Sequence, residues 1–159
     1  MVSRAVVLDS GPLGLVTNPR PSPQNLACSD WMQALIEAGI TVVIPEIADY
    51  EIRRELVRAQ KVRGLAMLDA LCESLMYLPL STGMMRSAAE LWAEARNMGK
   101  QTADDLALDG DVILAAQSLS LRRFEVVVAT TNVGHLSRFV AAESWTLIDS
   151  NFVFQRKPR

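Results

Sequence analysis

The sequence is short of every residue on which a soft metal centre or a covalent cross-link depends. Its 159 residues include only two cysteines and one histidine. Cys28 and Cys72 lie far apart, with no Cys or His near either. That excludes a paired-ligand zinc site and a disulfide framework, and predicts two buried thiols in a reducing cytoplasm. His135, in NVGHLSRF, has neither a G-x-S-x-G element nor the acid spacing of a triad, so a surface or helix-start position is expected. Long apolar runs are also missing, so no membrane span is expected. The opening MVSRAVVLDS does not read as a signal sequence, and a cytoplasmic protein is expected. A dominant charge is absent too: 16 Lys and Arg stand against 18 Asp and Glu, a formal net charge of −2. No global field draws such a chain to nucleic acid, so any such contact must use local patches. GPLG, after Asp9, is too short and wrongly spaced for a dinucleotide or phosphate loop.

What the chain has is apolar residues, 50% of the total. That is enough for one core burying roughly 70% of the unfolded surface. One domain over residues 1–150 is expected, followed by a basic tail, 151–159, with Arg156, Lys157 and Arg159. Short β-type runs, Ala5 to Leu8, Thr41 to Ile44, Met76 to Leu80, Val126 to Ala129 and Thr146 to Ile148, read as strands. Between them, helical patterns cover Asn25 to Ala38, Pro45 to Gln60, Val62 to Ser74, Ser81 to Met98 and Asp109 to Leu121. Pro45 fits a first helical position, Ser81 an N-cap, and Gly39 and Gly99 the positions just past helix ends. TNPRPSPQN, residues 17–25, reads as a loop. The alternation predicts an α/β fold on a parallel sheet of about five strands with right-handed crossovers. Trp31, Trp92, Trp145 and the methionines read as core or oligomer contact, and the apolar richness predicts a homodimer.

Open parallel sheets bind ligands at the carboxyl ends of their strands, which makes polar residues there the ones to weigh. Asp9 follows AVVL and begins a sharp turn with Ser10, Gly11 and Pro12; alone, it reads as a helix cap. VVVATTN places Thr130 and Asn132 at the same edge, where a turn role is the simple alternative. The helix before that strand runs antiparallel to it, which brings Asp109 and Asp111 to this edge, where they could merely complement the helix dipole. PEIADYEIRREL offers Glu46, Asp49, Glu51 and Glu55. Ala48, Ile52, Leu56 and Ala59 form its sheet-facing stripe, with Glu55 near the centre and Glu51 at the border. Glu46 points away. Glu51 lies one turn, roughly 6 Å, nearer the helix start, and hence nearer Asp9. It is preferred, with Glu55 and Asp49 left open. Four separate caps meeting at one edge make a shared site the better account. Clustered carboxylates repel unless a cation compensates, and hard oxygen donors point to Mg²⁺ or Mn²⁺.

At these residues the chain, from Val6 to about Ile148, resembles the PIN-domain nucleases, including VapC-type toxins of toxin–antitoxin pairs. VVLDSGPL looks like the family's first motif and maps a metal ligand onto Asp9. PEIADYEIRREL looks like the second and maps its Glu onto Glu51. LDGDVILAA looks like the third, mapping the next ligand onto Asp111 with Asp109 as a neighbour. VVVATTN looks like the fourth, mapping onto Asn132 beside Thr130, with Asn in place of the more usual Asp. The resemblance implies a PIN-like three-layer α/β/α sandwich and a Mg²⁺- or Mn²⁺-dependent endoribonuclease that leaves a 3′-hydroxyl and a 5′-phosphate. It also implies an RNA substrate and an antitoxin partner. Catalysis would rest on Asp9, Glu51, Asp111 and Asn132, with Asp9 and Asp111 on the metal.

Ser10 and Thr130 could add hydroxyls, although a turn-stabilising role serves both equally. RNA would be guided by some of Arg53, Arg54, Arg58, Lys61 and Arg63, which do not all share one face; a solvated helix face is their simpler reading. Two alternatives stand beside this one. A haloacid-dehalogenase-like phosphatase would use Asp9 as nucleophile, but it usually has a second Asp where this chain has Gly11. A PIN-like module could bind RNA or a protein without cleaving, in keeping with Asn132.

Overall fold

In the computed structural model, residues 2–99, 105–152 and 154 are described, with 105 and 106 by backbone alone. Five strands form one sheet: β1 (Ser3–Leu8), β2 (Thr41–Pro45), β3 (Met76–Leu78), β4 (Phe124–Thr130) and β5 (Ala142–Ser144). Their order is β3-β2-β1-β4-β5 and every pairing is parallel. The helices are α1 (Ser10–Val16), α2 (Pro23–Glu37), α3 (Glu46–Arg58), α4 (Val62–Ser74), α5 (Thr82–Asn97), α6 (Asp105–Leu119) and α7 (Val133–Leu136).

The valine-rich strands are buried on both faces, as a parallel sheet covered on each side requires. Val6, Leu8, Val42, Ile44, Val127 and Ala129 pack on one face with Leu13, Cys28, Leu35, Ala48 and Leu68, from α1 to α4. Ala5, Val7, Val43 and Val128 face the other way, against Leu114, Ala115 and Leu121 of the α6 region and Leu136 of α7. The period-2 alternation of the strands thus sorts their side chains into two helical layers. The architecture is the expected PIN-like α/β/α sandwich.

Residue 45 ends β2 and caps α3, one position before the helix in which it was expected. Ser81 caps α5, its Oγ accepting from Met84 N at 3.1 Å. Gly39 and Gly99 take positive φ, 80° and 67°, just past their helices. Five expectations need correction. The helix expected from Asn25 starts at Pro23, inside the stretch read as a loop, because Ser22 caps it, and the strand expected over Met76 to Leu80 ends at Leu78. The fifth strand is Ala142–Ser144, not residues 146–148: Trp145–Leu147 forms a 3₁₀ turn, which buries Trp145 against Trp31 at 5.6 Å between rings. Trp31 Nε1 donates to Ile148 O at 2.6 Å, which occupies that carbonyl outside any ladder. The helix expected from Asp109 already begins at Asp105. Residues 10–16, read as part of a turn, are helical, since Pro12 lies within the first turn, where its missing N–H has no intrahelical acceptor to lose. The basic tail residues Arg156, Lys157 and Arg159 lie outside the described residues.

Between layers, Gln117 is fully buried on α6. Its Oε1 accepts from Ile47 N at 3.1 Å and its Nε2 donates to Leu78 O at 2.7 Å. One side chain therefore ties the start of α3, the end of β3 and α6 together.

Candidate active site

β1 lies between β2 and β4, where the chain's crossovers change direction, the place at which an open α/β sheet leaves a crevice. Asp9 stands at the end of β1, and its backbone N–H donates to Ala129 O at 3.0 Å. With φ −73° and ψ 169°, it caps α1, Oδ1 accepting from Ser10 N at 2.7 Å. Oδ2 accepts from Thr130 Oγ1 at 2.7 Å. Thr130, fully buried, accepts in turn from Asn132 N at 2.8 Å. Asp9 is thus a helix cap as well as a member of an acidic cluster, and Ser10 serves it through its backbone.

Glu51 and Asp111 complete that cluster. A Cβ on Gly110 would stand 3.6 Å from Glu51 Oε1, so the carboxylate of Glu51 lies against the α6 backbone beside Asp111. Burial raises the Glu51 carboxyl above its ordinary range; the charges of Asp9 and Asp111 add to the rise, and Arg54 opposes it. Asp111 is pushed up to about 6, by burial first and then by Asp9, against the opposing pull of His135 and Arg138. Its Oδ2 is buried with no hydrogen-bond partner. An orphaned carboxylate oxygen among repelling carboxylates is the chemistry a divalent cation neutralises. Oxygen donors of this kind are the ones a hard cation would take. Among the described residues, no three His, Cys, Asp or Glu side chains form a ready-made ligand set.

The fourth expected residue is tied to the cluster indirectly. Asn132 is exposed; its backbone binds Thr130 and its Nδ2 lies 3.1 Å from His135 Nδ1. That same nitrogen lies 3.8 Å from Asp111 Oδ2. His135, expected at a surface or helix start, does sit in the short α7, but it faces the acidic site. Arg138 is a further neighbour, with Nε donating to His135 O at 3.1 Å and a buried Nη2 without partner. Helical spacing from Asn132 could have pointed to His135, three positions on, had the four-residue α7 been legible; Arg138 lies past the end of that helix.

Asp109 does not join the cluster. Two positions from Asp111 is about 200° around a helix, and Asp109 is exposed in a cleft beside Met85, Ala88 and Trp92. Glu55, placed near the centre of the buried stripe, is exposed and paired with Arg58 at 2.9 Å, and Ala59 of the same stripe is exposed too, while Ile52 and Leu56 pack on the core. Asp49 is buried elsewhere, accepting from Arg53 Nε at 3.0 Å and Tyr77 Oη at 2.7 Å. Arg53 also binds Asp69 at 2.7 Å. Of the five basic residues, Arg54 is the one whose charge acts on Glu51. Cys28 is buried and Cys72 half-buried, both free thiols.

No protein-family model and no curated protein sequence matches the chain. Solved structures do match it in shape. A chain in the crystal structure of VapBC2 from Rickettsia felis bound to a DNA fragment from their promoter superposes with TM-score 0.69 at 17% identity, covering 89% of this chain and 98% of that one. A chain of VapBC-1 from nontypeable Haemophilus influenzae gives 0.65 at 16% identity, with the same coverage. The fold of this chain is therefore the PIN-like fold found in VapBC structures, and the resemblance read from its four motifs holds at the level of fold.

Proposed function

We propose that this protein is a metal-dependent endoribonuclease, the toxin of a toxin–antitoxin pair. The observation that carries the reading is the convergence of Asp9, Glu51 and Asp111 at the sheet's switch point, with one buried carboxylate oxygen left without a hydrogen-bond partner. The likeness to VapBC structures across 89% of the chain supports it. Asp9 and Asp111 would hold Mg²⁺ or Mn²⁺, with Glu51 and Asn132 completing its surroundings. A bound cation supplies a more acidic water and stabilises charge on the scissile phosphate. Thr130 keeps Asp9 oriented by its hydrogen bond. Glu51, its carboxyl raised by burial and by its neighbours, accepts a proton more readily near neutrality than an ordinary glutamate does. The expected partners are an RNA substrate, a second copy of the chain and an antitoxin.

The test is incubation of the protein with mixed RNAs in Mg²⁺ or Mn²⁺, with and without a chelator. Cleavage that needs the cation and disappears in Asp9→Asn, with the fold intact by circular dichroism, is the expected result. Undiminished cleavage by Asp9→Asn overturns the assignment. RNA binding without cleavage under any of these conditions would make the protein a binding module instead.

A further inference from the structure

Beside the acidic cluster, on the outer side of α3, Tyr50 directly precedes Glu51 and is 56% exposed. The Arg54 guanidinium lies over its ring, 5.2 Å from the centroid. Arg54 is four residues after Tyr50 and three after Glu51, so on the helix surface it neighbours both. Its charge reaches Glu51, which places the pair at the margin of the acidic site. The surrounding cations are engaged: Arg53 with Asp49 and Asp69, Arg58 with Glu55. Arg54 forms no ion pair with a described residue, and Tyr50 has no hydrogen bond with one. An acidic crevice repels a polyanion, so its substrate must be gripped from the rim.

We propose that Tyr50 and Arg54 form a nucleotide grip, in which an unpaired base of single-stranded RNA stacks on the Tyr50 ring and Arg54 contacts the adjoining phosphate. The inference rests on the ribonuclease reading above and names the form of RNA that this site accepts. An exposed ring accepts a base from any sequence, because every base has a π-face, and Arg adds both cation–π and phosphate contact. A base already stacked in a duplex cannot be offered to the ring.

The experiment measures binding of a short fluorescein-labelled single-stranded RNA, in Mg²⁺, to protein carrying Asp9→Asn so that cleavage does not intervene. On that background, Tyr50→Ala should weaken binding about 5- to 100-fold. Tyr50→Phe should restore it, whereas Tyr50→Leu should not. Arg54→Gln should weaken binding and lower the slope of log affinity against log salt by about one. RNA duplex of the same sequence should bind less well than the single strand. Unchanged binding by Tyr50→Ala, or full rescue by Tyr50→Leu, overturns the grip and leaves this face to a protein partner. Cleavage by the unsubstituted protein with an inert Tyr50 would sink the grip but not the nuclease. Tyr50-dependent binding without cleavage would do the reverse. No RNA binding by the Asp9→Asn protein or by the unsubstituted chain overturns both.

Discussion

Thr130 Oγ1 and Asp9 Oδ2, 121 positions apart in sequence, share a 2.7 Å hydrogen bond at the seam between β1 and β4. The register of the two strands places them side by side, since Leu8 pairs with Ala129 and each chain then runs one residue further. Thr130 is simultaneously the acceptor for Asn132 N, so one hydroxyl sets both the Asp9 carboxylate and the turn after β4.

Thr130→Val keeps the shape of the side chain and removes both bonds. Partners that orient an active-site carboxylate are worth about 10- to 100-fold in activity or metal affinity, and RNA cleavage should fall by that much. The Asn132 backbone N–H, which is only part-buried, loses its acceptor as well, at a cost of about 1 kcal/mol in urea unfolding. Thr130→Ser, which retains the hydroxyl, should recover most of the cleavage. A fully active Thr130→Val would show that Asp9 needs no such support.

Asp111 sets the pH behaviour. Its carboxyl titrates near 6 in the folded chain, above the ordinary value of 3.8. Between these values the folded state binds more protons than the unfolded one, so stability falls as pH rises through the window from about 4 to 6. Above it, the ionised carboxylate is a standing cost. Asp111→Asn should stabilise the protein at pH 7 by about 2 kcal/mol and flatten this part of the stability profile. Addition of Mn²⁺ should raise the thermal midpoint of the native chain but not that of Asp111→Asn. A less stable Asp111→Asn protein, or an unchanged pH profile, would contradict the account.

The sequence made Glu51 preferable to Glu55, and the structure separates them sharply. Glu51 lies against Gly110 of α6, whereas Glu55 is exposed with Arg58. Glu51→Gln should reduce cleavage by at least about 100-fold, the usual scale for a proton-handling group. Glu55→Gln should leave the rate essentially unchanged. Equal losses in both variants would mean that position on α3, rather than contact with the cluster, governs the effect.

The same contrast shows where legibility ended. Val-rich runs marked the three inner strands β1, β2 and β4, because burial on both faces leaves a nearly unbroken apolar signature; the edge strand β3, MYL, was marked by its apolar residues alone. The fifth strand, AES, carries no such signature, since it is a three-residue edge whose pairing with Val128 to Thr130 is dictated by the tertiary fold. Asp9, Glu51 and Asp111 could be placed from strand ends and helical period. The roles of His135 and Arg138 could not, because they depend on α7, whose four residues are too few to show a period. Asp109 was drawn in by its sequence neighbour, when only rotation about α6 separates the two faces. No pattern in the sequence foretells that Glu55 lies in solvent, because the period puts it between Ile52 and Leu56, which do pack on the core.

Gln117 tests how the cluster is held at a distance. Its amide satisfies Ile47 N at the start of α3 and Leu78 O at the end of β3 from a fully buried position on α6, the helix that also carries Asp111. Gln117→Leu is close in volume, so the packing of α6 changes little. It leaves a buried donor, Ile47 N, unpaired at about 1–3 kcal/mol and a part-buried acceptor, Leu78 O, unpaired at less. The expected result is a loss of about 2–4 kcal/mol in urea unfolding at pH 7. Because the bonds fix α3 against α6, the separation of Glu51 and Asp111 should also become less well defined. RNA cleavage should therefore drop under conditions where the variant remains folded, and Gln117→Glu, which keeps the acceptor for Ile47 only by burying a charge or a proton, should not restore it. A Gln117→Leu protein with native stability would mean that Ile47 N and Leu78 O find other partners, and that α3 and α6 are held by apolar packing alone.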